Sequence, residues 1–177
     1  MTTTVTIPTL ETERLRLRAP VASDFEAYAA FRSSERARMV GGPNPRWQAF
    51  QQLCALAGQW QIRGFGRWII ADKATDAPLG TVGVYAPDGW PEPEIAWSVF
   101  AEAEGRGIAY EAALESRRYA YDTLGFNTIV SCISPENTRS LALAKRMGCT
   151  QEGAFDLEDL GTLHVWRHPS PAEAARG

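Results

Sequence analysis

A glycine-rich segment ahead of a helical pattern is the first part of this sequence whose residues suit chemistry. It reads EAEGRGIAYEA over residues 102–112 and follows the strand-like run EIAWSVF. The first N–H groups of a helix lack partners inside the helix, and that end carries partial positive charge. Glycine lets an anion approach such amides closely, and an arginine between two glycines adds positive charge. The segment therefore predicts a diphosphate cradle formed by Gly105, Arg106, Gly107, Ile108 and Ala109.

Other phosphate-binding motifs do not fit this segment. A Walker loop would continue into Gly-Lys-Ser or Gly-Lys-Thr, and a dinucleotide-binding fingerprint would have a third glycine. Neither is present here. On the five residues alone, a plain glycine-rich turn into a helix is an equal alternative to the cradle.

Polar residues also lie beside two strand-like runs. Asn137 and Ser140 follow the run TIVSCIS, and Glu94 begins the run EIAWSVF. An asparagine before a helix is a common cap, with or without a ligand, and a serine three residues later can be a hydroxyl on the helix surface. Glu94 can be a surface carboxylate after the turn at Pro93 or a base beside the glycine-rich segment.

The histidines and cysteines do not form a recognisable reactive set. His164 and His168 lie on one face of the last predicted strand, where a metal would need a third ligand that the neighbouring sequence does not offer. No metal site is predicted. A polar residue on an edge strand explains His164 better than a base. The three cysteines, which we expect to be reduced and mostly buried, have no adjacent histidine, so covalent catalysis is not expected: Cys54, Cys132 and Cys149.

The first half of the chain predicts a strand, two helices and a hairpin of two strands. RLRLRAP alternates leucine with arginine as a half-buried strand does, and Ser23 and Asp24 offer caps for a helix through DFEAYAAF. After GGPNP, a second helix is predicted with five residues at helical spacing: Trp47, Phe50, Leu53, Cys54 and Ala57. RWIIAD and LGTVGVYA, separated by a polar turn, predict an antiparallel hairpin.

The second half predicts strand, helix, strand, helix and two final strands. The whole order predicts an α/β or α+β fold, with a mixed, largely antiparallel sheet and helices on both faces. EIAWSVF and TIVSCIS, joined by the helix over about 108–124, should be parallel through a right-handed crossover. Ligands of such sheets bind at the carboxyl ends of the strands, where the glycine-rich segment lies.

Composition excludes several classes of protein. The chain has 177 residues, a net charge of -3 and a pI near 5.5, which does not suggest a nucleic-acid-binding surface. Arg32, Arg36 and Arg38 are interrupted by Glu35 and predict a solvated helix face. No apolar run approaches the roughly 18 residues of a membrane span, and no secretory signal is evident, so we expect a cytoplasmic protein. Residues 1–177 are predicted to form one domain, with a polar, frayed tail at 169–177.

Three segments resemble the GNAT superfamily of acyl-CoA-dependent N-acyltransferases, most closely the branch that acetylates the N-termini of ribosomal proteins. They are TERLRLRAPVASDFEAY, EIAWSVFAEAEGRGIAYEAA and SPENTRSLALAKRMGCTQEG, and the resemblance extends over nearly the whole chain. They are similar to the branch patterns ETERLxLR, EIGYxLxxxxxGxGYATEA and NxxSxxxxEKxGFxxEG. The last two, in this order and at this separation, are more specific than either alone.

The resemblance implies a role for each polar position. Amides of residues 105–109 would hold the diphosphate of acetyl-CoA, and the strand ending at Val99 would splay from its parallel neighbour to admit the pantetheine arm. The N–H of Val99 would then bind the thioester carbonyl. Asn137 would bond the pantetheine arm and Ser140 would lie near the thiolate sulfur. Glu94 matches the glutamate of the family's EIG stretch and is the candidate base.

Two positions depart from the family pattern. Many members have a tyrosine as general acid seven residues after the asparagine, where this chain has Ala144. Proton delivery would then fall to Ser140, another side chain or water. Glu104 replaces the arginine or glutamine that usually heads the phosphate loop, so Arg106 would carry more of the charge neutralisation unless Glu104 turns to solvent.

The resulting prediction is an acetyl-CoA-dependent N-acetyltransferase that acts on a primary amine, either a protein N-terminus or a small molecule. The alternative is a non-catalytic acyl-CoA sensor or scaffold, which the missing tyrosine favours. Acceptor selectivity is expected in GGPNPRW and in DLEDLG, whose acidic residues suit either a cationic acceptor or a solvated turn. Trp90 could line an acceptor groove, and family members often form homodimers, so a homodimer is possible here.

Overall fold

A computed structural model describes residues 5–176 as one eight-stranded sheet with helices packed against it. The strands are β1 Leu10–Glu11, β2 Leu15–Arg18, β3 Arg67–Asp72, β4 Pro78–Tyr85, β5 Glu94–Val99, β6 Val130–Ile133, β7 Thr150–Leu157 and β8 Gly161–Arg167. The helices are α1 Phe25–Arg32, α2 Arg46–Arg63, α3 Ile108–Asp122, α4 Thr138–Arg146 and α5 Pro171–Ala174. Short 3₁₀ turns cover Ala22–Asp24, Glu35–Val40 and Ala101–Ala103.

The strand order in the sheet is β1-β2-β3-β4-β5-β6-β8-β7. Every neighbouring pair is antiparallel except β5 and β6, which are parallel and joined through α3. The predicted mixed sheet, its hairpin and its parallel pair are therefore confirmed. Because β8 lies between β6 and β7, the prediction that the histidine-bearing strand is an edge strand is wrong.

Alternation along β3 divides the core between the two faces of the sheet. Trp68 and Ile70 are fully buried in a cluster that includes the apolar side of α3, whereas Ile69 is buried among residues of α1 and α2. Successive side chains of a strand point to opposite faces, so a run buried at every position needs a cover on both sides. Helices on both faces are thus confirmed.

Helix α2 buries a different face from the one predicted. Its buried residues are Ala49, Leu53, Leu56 and Trp60, whereas Trp47 and Phe50 are 65% and 53% exposed and Cys54 is also exposed. The buried face includes Trp60, whose ring centre lies 4.9 Å from that of Trp68 and whose Nε1 donates to the Arg67 carbonyl. The spacing of four, three and four residues is also helical, so periodicity alone fitted both faces.

The sequence suggested that the Asp24 side chain caps α1, but in the structure it makes no such hydrogen bond. Its buried carboxylate accepts from both terminal nitrogens of Arg18 at 2.9 Å and from the Val21 amide at 2.8 Å, so it joins β2 to the first turn. At the other end of the chain, the predicted frayed tail contains α5, which Ser170 and Glu173 start with a capping box. Within residues 5–176, every helix is too short or too polar to traverse a lipid bilayer.

Gly80 in β4 is expected to tolerate no side chain. It pairs with Val99, and a Cβ there would lie 2.2 Å from the Ser98 carbonyl oxygen and 3.0 Å from the Val99 Cα. Gly80→Ala should therefore lower the free energy of unfolding in urea by about 1–3 kcal/mol, because two paired strands must separate. The matched control is Gly153→Ala in β7, where a Cβ meets nothing within 4 Å, and it should change that free energy by less than about 0.5 kcal/mol. Equal effects of the two variants would contradict this assignment.

Candidate active site

The parallel strands β5 and β6 pair at one position and then diverge. Glu94 is paired with Val130. Beyond this pair, hydrogen bonds that involve side chains replace the backbone-to-backbone hydrogen bonds between the strands. The Cys132 amide donates to Glu94 Oε2 at 2.7 Å, and the Ser131 hydroxyl donates to the Ile95 carbonyl at 2.6 Å. These two bonds satisfy backbone groups that would otherwise bond across the pair. The strands can therefore part at this level without leaving these backbone groups unpaired.

His168 closes the narrow end of the divergence. It is 2% exposed, and its Nε2 lies 2.9 Å from Ser131 Oγ. Because the Ser131 proton is committed to Ile95, Nε2 donates and Nδ1 faces the guanidinium of Arg117 at 3.5 Å. Burial, together with the charges of Arg117 and Arg167, lowers the pKa of His168 to about 3. His168 is therefore a neutral structural residue, and His164 does not line the cavity described next.

A cavity of about 540 Å³ opens where the strands part. Its size is typical of small-ligand sites in proteins. Three of the predicted site residues, Glu94, Asn137 and Ser140, line it together with Trp90 and Trp97. The structure thus brings Glu94, at the start of β5, together with the Asn137–Ser140 motif that follows β6.

Glu94 is a buried carboxylate, so the surface alternative does not apply. It is 5% exposed, and its Oε1 accepts from Trp90 Nε1 at 2.9 Å. Burial raises the pKa of Glu94 to about 7, although the two N–H donors and the nearby charge of Arg67 favour the carboxylate. A group with this pKa changes charge in the range where a general base is most effective.

Asn137 and Ser140 are linked to each other and to β5. The Ser140 amide donates to Asn137 Oδ1 at 3.2 Å, so Asn137 is the cap of α4 while it also lines the cavity. Ser140 Oγ accepts from Trp97 Nε1 at 3.2 Å, which leaves the hydroxyl hydrogen free for another acceptor. Ala144, at the position where a tyrosine was expected from the family pattern, is fully buried in the core.

The N–H of Val99 faces the gap between β5 and β6. The next amide, that of Phe100, donates to the Leu79 carbonyl at 2.8 Å on the β4 side. Backbone groups of successive residues in a strand point to opposite sides, so the Val99 amide points away from β4. It is available to a carbonyl oxygen within the gap.

The glycine-rich segment presents a run of unpaired amides at the start of α3. Gly105 and Gly107 have φ values of +69° and +75°, and the first bond into the helix runs from the Glu111 amide to the Gly107 carbonyl at 3.1 Å. Within residues 5–176, the amides of residues 105–109 donate to no other group. Such successive N–H groups in an exposed turn form an anion-binding concavity. They lie outside the lining of the large cavity.

The charges around this segment differ from the expectation. The carboxylate of Glu104 forms salt bridges with Arg36 and Arg139, so its negative charge is neutralised by these arginines and not by solvent. The Arg106 carbonyl accepts from Arg14 at 2.9 Å, and the Arg106 side chain lines a second cavity of about 400 Å³. Arg139, next to Ser140, thus joins the start of α4 to the glycine-rich segment.

Sequence reasoning missed three arginines that line the large cavity: Arg32, Arg63 and Arg67. Arg32 is 7% exposed, which corrects the expectation that it belongs to a solvated face. The acidic residues of DLEDLG are exposed and do not line the cavity. Cys132 does line it, but burial raises its pKa, so the thiol is protonated at neutral pH. In the part of the chain that the structure describes, no three His, Cys, Asp or Glu side chains are placed to hold a metal ion.

Comparison with known proteins gives one consistent family. The acetyltransferase (GNAT) domain matches residues 14–150. The N-acetyltransferase YoaA of Bacillus subtilis is 31% identical over 152 residues, 84% of this chain and 86% of that protein. An acetyltransferase crystal structure from Agrobacterium tumefaciens superposes with a TM-score of 0.85 at 36% identity, covering 96% of this chain and 98% of the other. RimL, a ribosomal L7/L12 α-N-protein acetyltransferase solved with Coenzyme A, shares the fold, with a TM-score of 0.74, 15% identity and coverage of 91% and 97%.

Proposed function

Because the chain belongs to the GNAT acetyltransferase family, whose N-acetyltransferases use acetyl-CoA, we propose that it transfers an acetyl group to a primary amine by direct attack in a ternary complex. One observation carries the proposal: the unpaired amides of residues 105–109 follow β5, and Glu104 directly before them is paired with Arg139, the neighbour of Ser140 in the lining of the Glu94 cavity. We also propose that residues 1–177 form a single acetyltransferase domain.

The residues present fit a coenzyme A ester. The positive φ of Gly105 and the space around it, where a Cβ would meet nothing within 4 Å, leave these amides open to a diphosphate. Asn137 lines the gap where a pantetheine arm would lie, and the Val99 amide would bind a carbonyl oxygen there. When bound, acetyl-CoA supplies the activated acetyl group.

Glu94 acts as the base, directly or through one water. An amine must lose a proton before it attacks, and for a lysine with a pKa near 10.4 this costs about 4–5 kcal/mol at pH 7. For an α-amino group with a pKa near 8 the cost is only about 1 kcal/mol. A carboxylate with a pKa of about 7 therefore suits an α-amine, in a protein N-terminus or in a small molecule. The RimL neighbour, named as an α-N-protein acetyltransferase, agrees with this acceptor type.

Ser140 is expected to donate its free hydroxyl hydrogen to the leaving sulfur. Ser140→Ala removes that donor and keeps the cap, because Asn137 bonds the Ser140 backbone amide and not its hydroxyl. We expect kcat to fall about tenfold while the Kd for CoA stays within about twofold of wild type. Steady-state kinetics and calorimetry measure the two effects, and an unchanged kcat would exclude this role.

The function itself is tested by thiol release from acetyl-CoA with a panel of amines and by calorimetry with CoA. Turnover with at least one amine is expected, together with heat of CoA binding. Absence of CoA binding would overturn the proposal at its first step. Binding without turnover for any amine would instead identify a sensor of the cofactor.

A further inference from the structure

We infer that the acceptor amine of this enzyme carries a carboxylate, which Arg67 and Arg32 bind beside Glu94. The inference rests on the proposed function and specifies its substrate class. It arises from the charges that line the large cavity, which differ in sign from the net charge of the chain.

The cavity is cationic although the chain is acidic. Its lining contains Arg32, Arg63 and Arg67, and Glu94 is the one carboxylate among its described lining residues. Glu94 has a pKa of about 7, so it offsets at most one of the three positive charges near neutral pH. The whole chain has a net charge of -3. Positive charge is therefore concentrated at the site and is not a general property of the surface.

Arg67 is held in place but lacks an anionic partner. Its guanidinium carbon lies 4.0 Å from the centre of the Tyr85 ring, and its buried Nε has no hydrogen-bond partner. Among residues 5–176 it forms no salt bridge. Tyr85, on which Arg67 stacks, is paired with Glu94 across β4 and β5, and Arg67 and Glu94 line the same cavity. The positive charge of Arg67 accordingly opposes the rise in the pKa of Glu94 that burial causes. An acceptor whose amine is at Glu94 thus has a cation close to its other end.

Arg32 is a second buried guanidinium with neutral partners. Its Nη1 donates to the Val40 carbonyl at 3.0 Å, its Nη2 donates to Asn44 Oδ1, and its buried Nε has no partner. Burial lowers the pKa of Arg32, and the nearby charge of Arg67 lowers it further. Arg32 and Arg67 line the same cavity, and like charges there are unfavourable unless an anion compensates them.

A carboxylate is the anion that best fits this pair. Guanidinium groups bind carboxylates through paired, charge-assisted hydrogen bonds, and desolvation strengthens such bonds. The diphosphate of the cofactor does not account for the pair, because residues 105–109 do not line this cavity. Polyamines and aminoglycosides would bring further positive charge to a cationic site and should be rejected. The carboxylate can come from a free amino acid or from an acidic second residue in a peptide.

Matched acceptors that differ only in the carboxylate test the inference. The probes are the free amino acids, each compared with its own carboxamide, and the dipeptide amides Ser-Asp and Ser-Asn. We expect kcat/KM to be at least tenfold higher for the acid of the preferred pair. The amine of the amide is the less basic of the two, so intrinsic availability of free amine favours the amide and cannot produce this result.

Variants of Arg67 link the preference to the cavity. In Arg67→Gln, kcat/KM for the acid divided by kcat/KM for the amide should fall to about one. Arg67→Lys keeps the positive charge and should retain part of the preference for the acid. The control Arg118→Gln makes the same change in net charge on the exposed side of α3 and should keep the wild-type ratio. Arg32 is less suitable for substitution because it also holds Val40 and Asn44 in place.

Binding gives a second readout that needs no turnover. Calorimetry of the N-acetylated acid and N-acetylated amide in the presence of CoA should show tighter binding of the acid, lost in Arg67→Gln. Turnover confined to amines without an acidic group, no binding preference for the acid, or an unchanged ratio in Arg67→Gln would overturn the inference while leaving the acetyltransferase function intact. No turnover with any amine would instead count against the proposed function.

Discussion

Glu94→Gln is expected to lower kcat by about 100-fold or more while leaving the Kd for CoA unchanged. General bases typically contribute factors of about 10²–10⁴, and the amide cannot accept the proton. The substitution preserves size, and the amide oxygen of glutamine can still accept from one of the two donors, Trp90 Nε1 or the Cys132 amide. Glu158→Gln is the matched control, because Glu158 is exposed and does not line the cavity, and it should retain wild-type kcat.

The pH dependence separates the base from a merely polar side chain. Glu94 has a pKa of about 7, and a base acts in its unprotonated form. The value of kcat/KM should therefore rise as pH increases through about 7 and fall about tenfold per unit well below it. Deprotonation of the acceptor amine also raises kcat/KM with pH, and it does so in both proteins. The informative quantity is therefore kcat/KM of the wild type divided by kcat/KM of Glu94→Gln at each pH. A ratio that does not change between pH 6 and 8 would exclude Glu94 as the base.

The fold followed from local patterns in the sequence. Alternation in β2, the apolar run in β3 and the glycine-rich entry to α3 each reflect constraints within a few residues, and the structure has these elements. The face of α2 did not follow, because two helical stripes of apolar residues were available. The choice depended on Trp60 meeting Trp68, a contact made only in the folded protein.

The sequence predicted the site residues that belong to recognisable motifs. It did not predict the properties of residues that depend on burial in the folded protein. Asn137, Ser140 and residues 105–109 were found from motifs beside strand ends. The elevated pKa of Glu94 depends on its burial against Trp90, four residues earlier, and against Cys132 of β6, a distant contact that no pattern near residue 94 indicates. Arg32 was placed on a solvated face because its neighbours are charged, whereas its partners are Val40, at the end of the following 3₁₀ turn, and Asn44 beyond that turn.

Gly107→Asp is expected to weaken CoA binding by about 100-fold or more. Gly107 precedes α3 with φ of +75°, and its amide belongs to the unpaired run of residues 105–109. A carboxylate there would lie near the bound diphosphate, and two unit charges about 5 Å apart repel by about 3 kcal/mol at an effective dielectric constant of 20. Calorimetry with CoA measures the loss directly.

Two further variants divide that loss into conformational strain, shape and charge. Gly125→Asp introduces the same residue at a φ of +74° beyond the other end of α3, where a Cβ meets nothing within 4 Å. This variant therefore has the same backbone strain but lies away from the proposed diphosphate site. It should bind CoA as wild type does. Gly107→Asn has the shape of aspartate without the charge, and asparagine tolerates positive φ, so its loss should be several-fold. If Gly107→Asp bound CoA as tightly as Gly125→Asp, the amides of residues 105–109 could not be the diphosphate site, because a negative charge among them would not have weakened CoA binding.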